Sequence, residues 1–355
     1  MNFGSISELT TAINSQLDTF FERESRYLAD VGSELLPVCE AMGHFLLDSG
    51  KRLRPLFAAI GHSGVGGEIT PQSLQALASL ELVHVCALIH DDVMDESDTR
   101  RGAPSIHKKF EAIHESEGLH GRASQFGISA AILMGDLALI WAAKMLHESQ
   151  LPAHQILQSL PIYDEMRVEL MAGQYLDVYE QAVASESIER SLKVARFKSG
   201  KYSIERPLHF GATLAPKYSL DQLRMYSNYG LPLGEAFQLR DDVIGVFGDP
   251  AKTGKPAGDD LREGKRTVII AMTLEKIDEA SRKKFQSLFG NKELDSDGID
   301  SLREIINASG ALDRVELLIE EMTFSAHKAL KADGIGSHAK NLLTEMAEAA
   351  TQRSA

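Results

Sequence analysis

The sequence is poor in cysteine, with only Cys39 and Cys86 among its 355 residues. Two cysteines cannot form the disulfide framework of a small secreted protein, so they favour a reducing compartment. The N-terminal segment also lacks the basic stretch and the apolar core of a secretory signal. We therefore expect a cytoplasmic protein.

The sequence also lacks an excess of positive charge. It carries 37 lysines and arginines against 51 acidic residues, which gives a formal net charge of −14. This balance argues against nucleic acid as a partner and against a polybasic membrane anchor. The most apolar segment, residues 126–146, is interrupted by Asp136, so we expect a buried core helix and no transmembrane segment.

A third absence is that of alternating strand patterns and of any linker rich in proline or serine. Apolar residues instead recur at a spacing of three or four, as in the N-terminal stripe of Ile6, Leu9, Ile13, Leu17 and Phe20. Breaks are expected at 64–67, 114–124, 248–264 and 290–298. The pattern predicts an all-α fold in one domain covering residues 1–355.

Aspartates follow an apolar helical run at Asp91, Asp92 and Asp95. On a helix Asp91 and Asp95 share a face, whereas Asp92 points about 100° away. A second pair, Asp241 and Asp242, ends a similar apolar run. Opposed carboxylates of this kind suit Mg²⁺, which takes one or two carboxylates together with phosphate oxygens. The alternative is a solvated acidic helix end.

Basic residues at helix ends and in loops complement these acids. Arginine suits bidentate binding of phosphate, and lysine acts as a mobile point charge. The basic residues concerned are Lys51, Arg52, Arg54, Arg100, Arg101, Lys198, Lys201, Lys255, Lys265 and Arg266. Together with the acidic pairs they indicate a diphosphate held partly by metal and partly by cations.

In this combination the chain resembles the trans-isoprenyl diphosphate synthases of the polyprenyl synthetase family, especially bacterial geranylgeranyl diphosphate synthases. The order and spacing of the motifs match those of the family over about residues 40–270. The matching segments are GKRLRP from Gly50, His84, DDVMD from Asp91, RRG from Arg100, Lys198–Ser199, Gln238, Asp241–Asp242, FGDP from Phe247, Lys255 and Lys265. The resemblance implies a single large helical bundle of the isoprenoid synthase type with a central cavity.

The resemblance also implies roles for individual residues. Isopentenyl diphosphate would be bound by Lys51, Arg54, His84 and Arg101. The allylic diphosphate would be bound by Arg100, Lys198, Ser199, Gln238, Lys255 and Lys265. About three Mg²⁺ ions would be held by Asp91, Asp95 and Asp241. The catalytic set would comprise Asp91, Asp92, Asp95, Lys198 and Asp241.

The reaction implied is a condensation that needs no side-chain nucleophile. The allylic diphosphate ionises, the double bond of isopentenyl diphosphate attacks the resulting cation, and a proton is then lost. Metal and fixed cations stabilise the leaving diphosphate as its charge develops. A dry apolar cavity keeps water from the cation. The family resemblance further implies a homodimer.

Two positions depart from the family pattern. The second aspartate motif ends in Gly245, where many relatives carry a third aspartate. Ser199 stands where threonine is usual, which keeps the hydroxyl group. Because Asp241 is retained, we expect a metal-dependent enzyme.

The residues before Asp91 bear on product length. In the family, large aromatic side chains four or five positions before the motif stop chain growth early. Here those positions hold Ala87 and Cys86. The cavity should then reach towards Val83 and Leu80, and Leu80 lies roughly 16 Å along the helix from Asp91. We expect geranylgeranyl diphosphate, with farnesyl or longer polyprenyl diphosphates as alternatives; the two small residues could instead serve helix packing.

Three other classes compete with this interpretation. His90–Asp91 also spells the motif of metal-dependent phosphohydrolases, which would leave the basic pattern unused. A class I terpene cyclase would share Asp91–Asp95 but would not need GKRLRP. A catalytically silent partner subunit would be expected to lose a metal motif, and here both motifs remain.

Replacing Ala87 or Cys86 with phenylalanine should shorten the product, because the larger ring would block the cavity below the diphosphate. Chromatography of the dephosphorylated products, formed with each allylic starter, measures this. An unchanged product length in both variants would refute the assignment of the cavity floor.

Overall fold

The structure is a computed structural model that describes residues 3–47, 50–100, 102–248 and 258–351. Two of the predicted site residues, Arg101 and Lys255, lie outside the described residues, as do the last two residues of the FGDP segment. Within the described residues helices dominate, and the two strands have two residues each. The all-α prediction is confirmed.

Contacts divide the chain into two compact units, each assembled from separate segments. The first unit comprises Met1–Tyr163, Pro207–Ser219 and Ile335–Leu342, and the second comprises Asp164–Arg206, Leu220–Gly334 and Leu343–Ala355. A single domain over the whole chain stays a prediction.

The helices up to the middle of the chain lie in the first unit. They are α1 (Ile6–Val31), α2 (Leu36–Leu47), α3 (Leu53–Gly64), α4 (Pro71–Met94), α5 (Ile106–Ser116) and α6 (Ala123–His147). A 3₁₀ turn, Ser33–Leu35, precedes α2. The antiparallel strands β1 (Thr99–Arg100) and β2 (Ala103–Pro104) follow α4.

The remaining helices lie wholly or partly in the second unit. They are α7 (Ala153–Ala182), α8 (Ile188–Val194), a π-helix (Ala195–Glu205), α9 (Arg206–Leu214), α10 (Leu220–Phe247), α11 (Asp259–Glu263), α12 (Val268–Lys276), α13 (Glu279–Leu288), α14 (Ser296–Ala308), α15 (Ala311–Ala329) and α16 (Ser337–Thr351). Helices α7, α9 and α16 contribute residues to both units.

Local sequence explains where the first-unit helices begin. Ser5 caps α1 by accepting a hydrogen bond from the Glu8 amide, and the predicted stripe buries Leu9, Ile13 and neighbouring apolar residues. Helix α4 begins with a capping box between Thr70 and Ser73 and has Pro71 in its first turn. The cap thus orders the end of α4 remote from the aspartates.

Helix α4 forms the centre of the first unit, where it packs against α1, α2, α3, α5 and α6. It and α6 are each long and apolar enough to span a membrane by length and composition alone. The most apolar stretch of α4 is 72% buried inside the protein and that of α6 is 39% buried. Burial of this extent in α4 is typical of a core helix.

Two glycines let α3 approach α9 within the same unit. A side chain at Gly61 would overlap the main chain of Leu208, and one at Gly211 would overlap the carbonyl of Ala58. The Nδ1 atom of His62 lies 3.1 Å from the Gly211 carbonyl, and burial lowers the pKa of His62. His62 is therefore a core histidine.

Helix α10 forms the centre of the second unit. It packs against the π-helix, α11, α12 and α15, and its residues Leu239, Val243 and Val246 join a buried apolar cluster with α12 and α14. In the N-terminal half of the helix, the Tyr229 hydroxyl donates a 2.6 Å hydrogen bond to the Leu343 carbonyl. This packing fixes the helix that carries Asp241 and Asp242.

Some elements differ from the sequence-based expectation. The predicted break at 248–264 contains helix α11, and the strand pair after α4 was not expected. Pro161 and Pro232 lie inside α7 and α10 without ending either helix. Glycine at 102 has a positive φ of 78°, which permits the tight turn between the two strands.

A buried ion pair anchors the segment before α3. Arg52 adopts a left-handed φ of 50°, and its Nη1 atom lies 2.8 Å from Glu81 of α4. Its Nε atom donates to Asn14 of α1 at 2.7 Å. The Arg52 and Glu81 side chains are only 2% and 3% exposed. Arg52, which the sequence grouped with candidate phosphate ligands, is a structural residue.

Replacing Glu81 with alanine should lower the free energy of unfolding by about 3–5 kcal/mol, because it leaves a guanidinium buried without its charge partner. Denaturant unfolding of the purified protein measures the change. The matched control is Glu22→Ala, whose partner Arg26 lies 3.5 Å away with both side chains exposed. That control should change stability by no more than about 0.5 kcal/mol; equal effects of the two substitutions would contradict the assignment.

Candidate active site

The first aspartate motif lies at the C-terminal end of α4. Asp92 is completely buried, whereas Asp91 and Asp95 are half-buried. Asp95 is the C-cap, and its amide donates a 2.8 Å hydrogen bond to the Asp91 carbonyl. The helical geometry therefore points the Asp92 carboxylate inward and leaves the carboxylates of Asp91 and Asp95 accessible to solvent.

The strand pair after α4 brings Arg100 back onto the motif. Its Nε atom donates to Asp92 Oδ1 at 2.8 Å, Nη2 contacts the same oxygen, and Nη2 lies 3.7 Å from Asp91. Burial lowers the pKa of Arg100, but the nearby charges of Asp92, Asp91 and Asp95 outweigh that effect and leave it raised. Arg100 is a fixed cation beside Asp91.

His90, which precedes Asp91 on α4, points towards α6. Its Nε2 atom lies 3.0 Å from the Ile132 carbonyl on α6, and a side chain at Gly135 would overlap the ring. The ring is thus engaged with α6 and not with the carboxylates of the motif. This geometry does not support the phosphohydrolase alternative, in which His90 and Asp91 would bind one metal.

The second aspartate pair repeats the arrangement on α10. Asp242 is buried and its Oδ1 atom accepts a 2.6 Å hydrogen bond from Gln238, whereas Asp241 is exposed. Burial raises the pKa of Asp242 well above its ordinary value, and the charges of Asp260, Asp241 and Asp177 add to the rise. Several carboxylates therefore crowd this end of α10.

Both pairs follow one rule: the first aspartate is accessible, and the second is buried with a dedicated partner. Among the described residues, no three or more histidine, cysteine, aspartate or glutamate side chains are gathered in a metal-ligating arrangement. The accessible oxygens of Asp91 and Asp241 are hard donors, which fits a metal that draws its remaining ligands from water and phosphate.

The π-helix carries Lys198 and Ser199. Side chains at Gly173 of α7 and Gly234 of α10 would overlap its main chain at Lys198 and Gly200, so both helices approach it closely. Lys198 Nζ lies 2.6 Å from Asp177 of α7, and Ser199 is half-buried. π-helical turns are frequent at functional sites, and here one holds a lysine against Asp177, whose charge acts on Asp242.

The other lysines of the second unit are also engaged. Lys265 Nζ lies 2.8 Å from Glu263 and 3.7 Å from Asp260. Lys201 is bound by Glu169, whose carboxylate also accepts a 2.7 Å hydrogen bond from Arg206. Lys201 therefore belongs to a structural ion-pair network, whereas Lys265 lies on the segment that carries Asp260.

Of the residues predicted to bind isopentenyl diphosphate, the three that the structure describes lie in the first unit. Lys51 is exposed just before α3, Arg54 is half-buried in its first turn, and His84 is half-buried on α4. His84 and Asp91 are seven residues apart on α4 and so lie near one face. The structure thus places this set on the same unit as the first aspartate motif.

The predicted chain-length residues follow α4 away from Asp91. Ala87 is half-buried, and Cys86, Val83 and Leu80 are fully buried. On α6, Trp141 packs edge-on against Phe20 with ring centroids 6.3 Å apart, and Ile140 is 63% exposed. Among these residues, the accessible small side chain one turn from Asp91 is Ala87.

Sequence reasoning missed two carboxylates in the second unit. Asp177 binds Lys198, and Asp260 lies against Gly245 of α10. Asp177 ends the segment GQYLD, and Asp260 ends the segment GDD. Both segments are visible in the sequence, but neither places a pair of aspartates directly after an apolar helical run. Long-range packing alone reveals their partners.

Comparison with known proteins shows the family of this chain. The polyprenyl synthetase family model matches residues 37–306. A geranylgeranyl pyrophosphate synthase of Corynebacterium glutamicum, solved with isoprenyl diphosphate and magnesium, is 39% identical, with a TM-score of 0.93 and coverage of 100% of both chains. The geranylfarnesyl diphosphate synthase of Aeropyrum pernix is 32% identical over 71% of this chain and 73% of its own.

A geranylgeranyl diphosphate synthase of Sulfolobus acidocaldarius is 31% identical over 64% of each chain. The chain therefore belongs to the polyprenyl synthetase family. Within it, the protein is a trans-prenyl diphosphate synthase, as the aspartate and basic motifs predicted.

Cys86 should resist alkylation in the folded protein. Burial, with a smaller contribution from Asp136, raises its pKa to about 11, so about one thiol in a thousand is ionised at pH 8. Iodoacetamide labelling of a Cys39→Ser variant isolates Cys86; labelling should be slow at pH 8 and become rapid in denaturant. Rapid labelling of the folded variant would show that Cys86 is not enclosed as described.

Proposed function

We propose that the protein condenses isopentenyl diphosphate with allylic diphosphates and releases geranylgeranyl diphosphate as its main product. The observation that carries the proposal is the repeated pair on α4 and α10, in which Asp91 and Asp241 are accessible while Asp92 and Asp242 are buried and hydrogen-bonded. The small side chain of Ala87 supports a product longer than farnesyl diphosphate. Two relatives carry the geranylgeranyl name.

The allylic diphosphate would be bound through Mg²⁺ and through basic side chains. Asp91, Asp95 and Asp241 would hold about three Mg²⁺ ions, and bound Mg²⁺ would neutralise charge on the departing diphosphate. Arg100 and Lys198 are already fixed by Asp92 and Asp177, so they need little reorganisation as that charge develops. Lys265, Lys255, Ser199 and Gln238 would complete this site.

Isopentenyl diphosphate would bind to Lys51, Arg54, His84 and Arg101. Its double bond would then lie where the allylic cation forms, with the growing chain directed along the small residues of α4. Exclusion of water by the apolar faces of α4 would protect the cation. We further propose a cytoplasmic homodimer with no transmembrane segment, on the basis of cysteine content and family.

A longer product is the second candidate, because the relative from Aeropyrum pernix is a geranylfarnesyl diphosphate synthase. Purified enzyme incubated with labelled isopentenyl diphosphate, Mg²⁺ and each allylic starter separates the two by chromatography after dephosphorylation. A twenty-carbon alcohol supports the first candidate and a twenty-five-carbon alcohol the second. Diphosphate release without isopentenyl diphosphate would instead indicate a cyclase or hydrolase.

Replacing Asp91 or Asp241 with asparagine should lower kcat by at least about 100-fold, which corresponds to about 3 kcal/mol of lost transition-state stabilisation. Steady-state kinetics at saturating substrates measures this loss. The matched control is Asp18→Asn, an exposed carboxylate on α1, which should leave kcat unchanged. Near-normal kcat in both site variants would contradict the assigned metal ligands.

A further inference from the structure

The residue that precedes each aspartate pair is also anchored to neighbouring elements. It is His90 on α4 and Arg240 on α10. Successive residues of an α-helix point about 100° apart, so His90 and Asp92 project on either side of Asp91. The same relation holds on α10. In each motif the accessible aspartate stands between two side chains, and the one that follows it is the buried aspartate of the pair.

His90 joins α4 to α6. Its Nε2 atom lies 3.0 Å from the Ile132 carbonyl. Because a carbonyl oxygen can only accept, Nε2 carries the proton and donates it. Nδ1 is then an acceptor, and the Cys86 thiol lies 3.8 Å from it, within the reach of a sulfur donor. Asp136 lies 3.8 Å from Nε2, which is too far for a hydrogen bond.

Gly135 gives the His90 ring its place on α6. A Cβ atom at position 135 would lie 2.1 Å from Nε2 of the ring, so any larger residue would displace it. Glycine inside a helix is less favourable than alanine, and Gly135 lies well inside α6. The notch therefore accommodates the ring at some cost to the helix itself.

Arg240 anchors α10 in the same way with different chemistry. Its Nη1 and Nη2 atoms each donate a 2.6 Å hydrogen bond to Glu316 of α15. Its Nε atom donates a 2.9 Å hydrogen bond to the Thr351 carbonyl of α16. A planar guanidinium that binds two elements at once is held in one orientation. Arg240 thus joins α10 to α15 and α16 one residue before Asp241.

We propose that His90 and Arg240 are positioning residues. Through its hydrogen bonds, each holds its helix in the rotation that presents the following aspartate, Asp91 or Asp241, to Mg²⁺. This inference rests on the proposed function. Binding groups have to be held within about 0.5 Å of their productive geometry. Loss of either anchor should therefore weaken Mg²⁺ binding although every carboxylate remains.

Calorimetry tests the proposal by measuring binding of a prenyl bisphosphonate, which cannot lose its leaving group, over a range of Mg²⁺ concentrations. His90→Ala and Arg240→Met should each need about 10–100-fold more Mg²⁺ for half-maximal binding. His90→Gln should stay near the wild type, because its amide can still donate to the Ile132 carbonyl. Arg240→Lys, which keeps the charge if methionine disturbs folding, should remain impaired because an ammonium lacks the fork that serves both partners.

A double variant separates hydrogen bonding from packing at His90. Gly135→Ala alone should displace the ring and raise the Mg²⁺ requirement, as His90→Ala does. In the double variant, His90→Ala with Gly135→Ala, the new methyl group fills part of the vacated space. Thermal unfolding should then show a partial recovery of stability, whereas the Mg²⁺ requirement should stay high.

Two matched controls make similar contacts away from the aspartate pairs. His114 Nε2 lies 3.2 Å from the His120 carbonyl. Arg282 pairs with Glu186 at 2.8 Å and also donates to the Leu274 carbonyl. His114→Ala and Arg282→Met should lower thermal stability, because each removes a comparable anchor, and should leave the Mg²⁺ requirement unchanged.

The inference is overturned if His90→Ala or Arg240→Met needs no more Mg²⁺ than the wild type, or if the two controls are impaired equally. Recovery of the Mg²⁺ requirement in the double variant would also overturn it, because packing alone would then position Asp91. The proposed function is judged separately, from prenyl product formed by the wild-type enzyme. Wild-type product together with unchanged Mg²⁺ requirements in the variants would reject the inference and leave the proposed function standing.

Discussion

In each aspartate pair, burying one carboxylate with its own partner leaves the neighbouring carboxylate accessible. Asp92 is enclosed with Arg100, and Asp242 is enclosed with Gln238. A buried charge is costly unless it is paired and hydrogen-bonded, so the second aspartate and its partner restrict the helix end to one orientation. Asp91 and Asp241 are thereby presented from rigid elements, as a binding site for a divalent ion requires.

The cations of the site are also held in place by partners. Arg100 and Lys198 are each bound by a carboxylate that is not one of the proposed metal ligands, namely Asp92 and Asp177. A positive charge held in place by packing and ion pairing needs no rearrangement when negative charge develops nearby. Arg52 differs from these two cations. Because both Arg52 and its partner Glu81 are buried, Arg52 stabilises the fold and does not face a substrate.

Local patterns in the sequence were sufficient to predict most of the helices and to place the paired aspartates on α4 and α10. The N-terminal stripe, the extent of α4 and the paired aspartates follow from spacing and capping that neighbouring residues determine. The partners of Lys198 and Gly245 depend on contacts between segments far apart in the chain, and no periodicity reports such contacts. Helix α11 was missed because five residues are too few to show a helical period.

The π-helix between α8 and α9 restricts insertions and deletions in this part of the chain. Its turns are wider than those of an α-helix, and its main chain is pressed by Gly173 on one side and Gly234 on the other. Loss of one residue from Ala195–Glu205 would tighten a turn and rotate the residues beyond it by about 100°. Substitutions can be absorbed in this segment more readily than a change in its length, so its residue count is itself a structural requirement.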